Sequence, residues 1–207
     1  MSRFEDAREF WNQRFDTPEY VFGREPNVFL AREAARLPPG ARVLDVACGE
    51  GRNAVWLARQ GHHVTAFDLS PLALAKARDL AAAQGVSVDW RESDVNAWDW
   101  SQGGYDAVCC IFIQFASPEE RARLFGGFLQ TLRPGGWVFL QGYTPRQLQY
   151  RTGGPGQLSH LYTAALLQEA FAGFQIETLR EHDSELAEGN KHVGMSALVD
   201  LVARRPG

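Results

Sequence analysis

The chain has 207 residues, 45% of them apolar and 12% aromatic, with 20 Gly, 10 Pro, 3 Cys and a formal net charge of -4. That balance excludes a disordered polyelectrolyte and a collagen-like or low-complexity chain, and it argues against broad attraction to phosphate backbones. At this length it fits one domain with one sizeable core and short appendages.

Three cysteines, two of them adjacent at Cys109 and Cys110, cannot make a disulfide framework and point to a reducing compartment. The first fifteen residues alternate charges where a signal peptide needs an apolar core, and no apolar run approaches ~18 residues. The expectation is a soluble, cytoplasmic protein without a nucleic-acid or membrane partner.

Residues 2–15 place Phe4, Ala7, Phe10, Trp11 and Phe15 at helical spacing, and residues 27–37 do the same with Val28, Leu30, Ala31, Ala34 and Ala35. An aromatic and polar loop, Tyr20 to Asn27, joins them. From Pro38 onward the pattern is regular: strands are predicted over 42–46, 63–67, 86–91, 105–112 and 137–141, and helices over 53–60 and 72–84 and from Ser117. Ser70-Pro71 supplies an N-cap and a first-turn proline, Gly85 a left-handed stop, and Ser117-Pro-Glu-Glu120 opens the next helix with acids. Residues 142–162 read as irregular and 163–171 as a helix. Two β runs, 174–182 and 195–203, are joined too closely for a crossover helix and should pair antiparallel. Alternating strands and helices imply right-handed βαβ units and a mostly parallel sheet, whose ligand lies beyond the carboxyl ends of the strands.

The first strand runs into Asp45-Val-Ala-Cys-Gly49-Glu50-Gly51. Gly49, Gly51 and Ala54 also satisfy the loose dinucleotide spacing, so the glycines alone leave a nicotinamide cofactor open. The acids do more. Asp45 and Glu50 would repel a pyrophosphate at the helix start and suit a cation without phosphate, such as the ammonium and sulfonium of S-adenosylmethionine. Asp68, just past the second strand, is placed to hold ribose hydroxyls, and Asp94 with Val95 to meet an adenine.

The order Asp45-x-x-x-Gly49-x-Gly51, Asp68-Leu-Ser-Pro71, Ser93-Asp94-Val95, Tyr105-Asp-Ala-Val108 and Leu132-Arg-Pro-Gly-Gly136 resembles the class I S-adenosylmethionine-dependent methyltransferases over nearly the whole chain. The resemblance implies an α/β, Rossmann-like fold: a seven-stranded, mostly parallel sheet with its last strand antiparallel and helices on both faces. It implies one domain over 1–207, with 1–37 as a helical cover and 142–162 as a substrate-side insertion. By position, Asp45, Gly49 and Gly51 would line the methionine part, Asp68 the ribose, and Asp94 and Val95 the adenine. The backbone near Cys110 and Ile111 would approach the cofactor's amino group, Arg14 and Asn27 would close over it, and Ala47, Asn53 and Leu69 join the same contact set. S-adenosylhomocysteine would be the product.

Trp11-Asn-x-Arg-Phe15 and Tyr20-x-x-Gly-x-x-Pro-Asn27 resemble the small bacterial tellurite-resistance and thiopurine-type methyltransferases, which implies a soft S, Se or Te acceptor or a small anion. Cys110-Ile-Phe-Ile-Gln114 stands where an adenine- or amide-directed enzyme of the class would show an Asn/Asp-Pro-Pro-aromatic run, and Cys109 and Cys110 read as core thiols. No residue set has metal-ligand spacing. The acceptor pocket is expected from Tyr20 and Arg24 on one loop and Tyr143, Arg151 and His160 on the other, with His192 reaching back. The expected partner is a small-molecule substrate and the expected state a monomer or homodimer. Other readings are an N- or O-directed small-molecule methyltransferase and a non-catalytic cofactor-binding module.

Overall fold

The computed structural model describes residues 3–207, and of residues 3–6 only the backbone. Ser2, and the side chain of Phe4, lie outside the described residues. The strands are β1 (Arg42–Val46), β2 (His63–Asp68), β3 (Asp89–Glu92), β4 (Tyr105–Ile111), β5 (Leu132–Tyr143), β6 (Gln175–Glu188) and β7 (His192–Arg204). They form one sheet of order β3-β2-β1-β4-β5-β7-β6. The β1–β2, β1–β4, β2–β3 and β4–β5 pairs are parallel, and β7 runs antiparallel to both β5 and β6. This is the seven-stranded, mostly parallel Rossmann-like sheet that the resemblance implies.

The period of two along a strand divides the central strands between two cores. Leu44, Val108, Cys110 and Leu140 face Phe125, Phe128 and Phe171; Val43, Ala107, Cys109 and Phe139 face Phe29, Leu30 and Leu57. Strands covered on both faces read as near-continuous apolar runs, as Val43-Leu44 of β1 and Ala107 to Ile111 of β4 do. The adjacent cysteines therefore belong to opposite cores, both fully buried.

The helices start where side chains satisfy free backbone donors. Asn27 caps α2 (Val28–Glu33), Ser70 caps α4 (Pro71–Ala83), and Ser117 with Glu120 forms a capping box on α5 (Pro118–Thr131). Thr163 caps α7 (Ala164–Ala170). The remaining helices are α1 (Arg3–Phe15), α3 (Arg52–Arg59) and a single turn, α6 (Gln147–Tyr150). No helix of the described residues is long and apolar enough to cross a membrane.

Some boundaries differ from expectation. The 27–37 helix tightens into a 3-10 turn after Glu33, and β3 begins at Asp89 rather than at residue 86. β5 takes in the Pro-Gly-Gly turn, Gly135 at φ +76°, and runs on to Tyr143, so the irregular 142–162 stretch opens as strand. The largest departure is the final hairpin. Residues 183–194, expected as a connection, are strand except for Gly189-Asn190-Lys191. Of β6, only Leu186 and Glu188 are buried, so its polar face hid the pattern.

Gly51 shows how tightly the first loop is packed: its φ is +81°, and a Cβ there would lie 2.7 Å from both Ala77 Cβ and Trp90 Cη2. Gly51→Ala should lower stability by about 2–4 kcal/mol through left-handed strain and overpacking. Urea denaturation checks this; an unchanged midpoint would show that the loop yields at little cost.

Candidate functional site at the carboxyl ends of the strands

The loop from β1 to α3 winds through three left-handed residues, Ala47 at φ +50°, Gly49 at +53° and Gly51 at +81°. Asp68, at the end of β2, holds it in place: its carboxylate accepts the Gly49 N–H at 2.8 Å and the Ser70 N–H at 2.9 Å. Above the strand ends lies a cavity of about 600 Å³. Its floor is residues 45–50, Arg52 and Asn53, Asp68 and Leu69, residues 93–96 and residues 111–116; its cover is Trp11, Arg14 and Phe15 of α1, Phe22, Gly154 to Gly156 and His192.

The cover is tied down by polar contacts. Ser70 Oγ donates to Asn12 Oδ1 at 2.6 Å, Tyr20 OH donates to the Lys76 carbonyl at 2.9 Å, and the Asn190 N–H donates to the Val21 carbonyl at 2.9 Å.

Of the cofactor residues expected from the sequence, Arg14, Asp45, Ala47, Gly49, Asn53, Asp68, Leu69, Asp94, Val95 and Ile111 line the cavity. Gly51, Asn27 and Cys110 do not. Gly51 faces α4, Cys110 lies in the core, and the Asn27 side chain donates to Gln141 Oε1 at 2.7 Å and Glu188 Oε1 at 3.0 Å while capping α2. Of the acceptor residues, Tyr143, His160 and His192 line the cavity. Tyr20 and Arg24 lie outside it, the guanidinium stacked 4.5 Å from the Tyr20 ring, and Arg151 is the exposed left-handed end of α6.

The three acids of the loop region have different fates. Glu50 is paired with Lys76 and accepts the Phe22 N–H at 3.3 Å, so its charge is met inside the protein. Asp68 is raised above the usual carboxylate range by burial, against its backbone hydrogen bonds. Asp45 is fully buried and its Oδ2 has no hydrogen-bond partner. Burial pushes its carboxyl up to about 7, with Asp68 adding to the shift and Arg52 opposing it.

Sequence reasoning missed a buried polar network beside the cavity. Arg52 Nη2 donates to Glu188 Oε2 at 2.7 Å, His192 Nδ1 lies 3.6 Å from the same oxygen, and Gln141 Nε2 donates to Asp200 Oδ1 at 2.7 Å. The signal available was Glu188-Gly-Asn-Lys-His192, a short turn flanked by two chemically paired residues. Arg14 sits between rings, 5.6 Å from the centroids of both Trp11 and Phe22, and makes no ion pair among the described residues. Burial lowers its pKa.

Residues 43–136 match the family model described as a methyltransferase domain. The ubiquinone biosynthesis O-methyltransferase of Xanthomonas axonopodis is 38% identical over 136 residues, 65% of this chain and 56% of that protein. The chain spans 38% to 56% of the length of the curated relatives it matches. A structure solved in work on the conversion of a disulfide bond into a thioacetal group during echinomycin biosynthesis superposes with a TM-score of 0.79 at 22% identity, covering 97% of this chain and 92% of that one. The N-methyltransferase NodS of Bradyrhizobium japonicum, in complex with S-adenosylhomocysteine, superposes with a TM-score of 0.74 at 12% identity, covering 97% and 99%. The fold is thus shared along nearly the whole chain, and the match to the methyltransferase-domain model runs from β1 to the start of β5.

The raised Asp45 carboxyl has a consequence for stability. Its folded pKa lies above the unfolded one, so its contribution is fully present below pH ~4 and is lost as pH rises through about 7. Without ligand, Asp45→Asn should remove a decline of about 2–4 kcal/mol between pH 4 and 8 that the native protein shows relative to it. Parallel denaturation series at several pH values test this, and identical slopes would place the Asp45 charge in a better-solvated site.

Proposed function

We propose that the cavity binds S-adenosylmethionine and that the protein transfers its methyl group to a small-molecule acceptor, releasing S-adenosylhomocysteine. The carrying observation is Asp45 Oδ2, a buried acceptor without a partner at the base of the glycine loop in the cavity wall. A buried carboxylate of this kind is costly unless a cation meets it, and the ammonium of the methionine part is such a cation. The remaining lone pairs of Asp68 suit ribose hydroxyls, and Asp94 with Val95 suits the adenine. The cofactor supplies an electrophilic methyl on a sulfonium. The protein's share is to hold the two partners in line and exclude water, a contribution of up to ~7–11 kcal/mol.

The cavity wall favours an acceptor with an apolar body. Trp11, Phe15, Phe22, Phe112, Phe115 and Tyr143 line it, whereas Arg52 is committed to Glu188, and Arg24 and Arg151 lie outside. A small anion therefore has few cations to meet, although Arg14 remains. The soft-heteroatom expectation rests on the Trp11-to-Phe15 and Tyr20-to-Asn27 resemblance; an O-methyltransferase relative and an N-methyltransferase of like fold act on other atoms. In this reading residues 1–37 and 142–162 are the cover and acceptor wall of one domain.

S-adenosylhomocysteine should bind with a Kd below about 100 μM, and Asp68→Ala should weaken it about 10- to 100-fold through loss of charge-assisted hydrogen bonds. Titration calorimetry reads both values. No heat at about 1 mM ligand would overturn the cofactor assignment.

A further inference from the structure

Glu188 and His192 are the last cross-strand pair of the β6–β7 hairpin, held together by the Gly189-Asn190-Lys191 turn. A Cβ on Gly189 would meet Gly23 N and Val21 O, so the turn can dock under the cover only with glycine there. Glu188 is immobilised from two sides: Arg52 donates to Oε2 at 2.7 Å and Asn27 to Oε1 at 3.0 Å. Its carboxyl lies below the usual range because His192 and Arg52 outweigh the effect of burial.

His192 Nδ1 stands 3.6 Å from Glu188 Oε2. At that distance Nδ1 is buried without a hydrogen bond, and the fixed negative charge of Glu188 opposite it favours the proton on that nitrogen and the lone pair on Nε2. Nε2 has no hydrogen-bonding partner among the described residues, and the side chain lines the cavity. Burial, with Arg52 and Arg14 adding to it and Glu188 opposing it, holds the pKa below the ordinary histidine value. The titratable groups facing it are Glu188 on β6, Arg52 on α3, Arg14 on α1 and Tyr143 on β5.

The ring lies within an aromatic pocket. Phe22 and Phe112 centroids are 4.6 and 4.4 Å away and Tyr143 is 5.8 Å away. Phe112 reaches this place at φ +57°, a conformation costly for a bulky residue and found where the surroundings enforce it. Gln114 fixes Tyr143 by accepting its N–H at 2.5 Å and donating to its carbonyl at 2.8 Å.

We propose that His192 is the general base of the transfer, positioned by Glu188, and that the acceptor is an aromatic compound whose nucleophilic atom arrives protonated, as a hydroxyl on the ring. The proposal rests on the cofactor reading above. The acceptor O–H proton passes to His192 Nε2, and an oxygen lone pair forms the new C–O bond to the methyl carbon. The carbon–sulfur bond breaks with its electron pair left on sulfur as a neutral thioether, and the imidazolium then releases its proton to solvent.

The first test needs no acceptor. Long-range ¹H–¹⁵N NMR of the imidazoles, with the His192 signals assigned through His192→Gln, should show a neutral Nδ1–H tautomer at pH 7, and Glu188→Gln should abolish that preference. A neutral Nε2–H tautomer or an imidazolium in the native protein would overturn the proposal. The second test compares phenol, catechol and 1-naphthol, which are protonated at neutral pH, with thiophenol, which is largely ionised. The native protein should methylate at least one hydroxyarene. His192→Gln should lower that kcat/KM by about 10²- to 10⁴-fold and remove its acid limb, with a loss on thiophenol at least about tenfold smaller and S-adenosylhomocysteine affinity within about threefold. Equal losses on both acceptor types, or no hydroxyarene methylated while S-adenosylhomocysteine binds, would overturn the base role or the acceptor class alone. Absence of that binding would instead overturn the cofactor reading, and this proposal with it.

Discussion

The Glu188 carboxylate is buried where four separated pieces of chain meet, and the architecture of the cavity depends on its being satisfied there. A lone buried carboxylate is unfavourable by several kcal/mol. Here Arg52 from α3 and Asn27 from the N-terminal cover donate to it, and His192 from β7 faces it. Each partner brings its own element. Arg52 anchors the helix that starts at the glycine loop, and Asn27 anchors the segment that roofs the cavity. His192 comes with the hairpin that forms the cavity's side. Asn27 extends the chain of contacts, since it also donates to Gln141, whose amide donates to Asp200. The other oxygen of Asp200 meets Arg180 at 3.3 Å and His182 at 3.0 Å near the surface. A cover seated on a polar network of this kind is positioned in one register, because a shift would strand several buried groups at once.

Around the glycine loop, three carboxylates within 24 residues of sequence meet three different needs. Lys76 neutralises Glu50, and Asp68 is largely occupied with the backbone donors that shape the loop. Asp45 alone keeps an acceptor free in the cavity wall. A cluster of acids read from sequence suggests a diffuse negative field. The folded protein instead concentrates the unmet demand at one residue, Asp45, the one that the proposed reading sets against the cofactor's ammonium.

The sheet was legible because its signals are local and repeated: apolar runs of strand length, Ser-Pro caps at residues 70–71 and 117–118, and glycines at left-handed stops. The floor of the cavity was legible for the same reason, since strand-end positions follow from strand periodicity. The cover was less so. Asn27, placed over the cofactor by analogy, is consumed by capping and by Glu188, and Tyr20 and Arg24 pack on the outside of the cover. The hairpin extension went unread because β6 buries only Leu186 and Glu188, one of them charged. A buried carboxylate reads as surface until its partners are known, and those partners lie 136 and 161 residues away in sequence.

Arg52 joins the two halves of the proposed chemistry. It opposes the upward shift of Asp45 and lowers the proton affinity of His192 while being bonded to Glu188. A cation arriving beside Asp45 favours the ionised carboxylate there, which returns negative charge to the neighbourhood of Arg52 and offsets the added positive charge that His192 would otherwise feel. A general base works best with its pKa near ambient pH, and burial has already lowered His192 below its ordinary value. Asp45 and His192 share one electrostatic neighbour, and a charge placed beside either is felt at the other in company with Arg52.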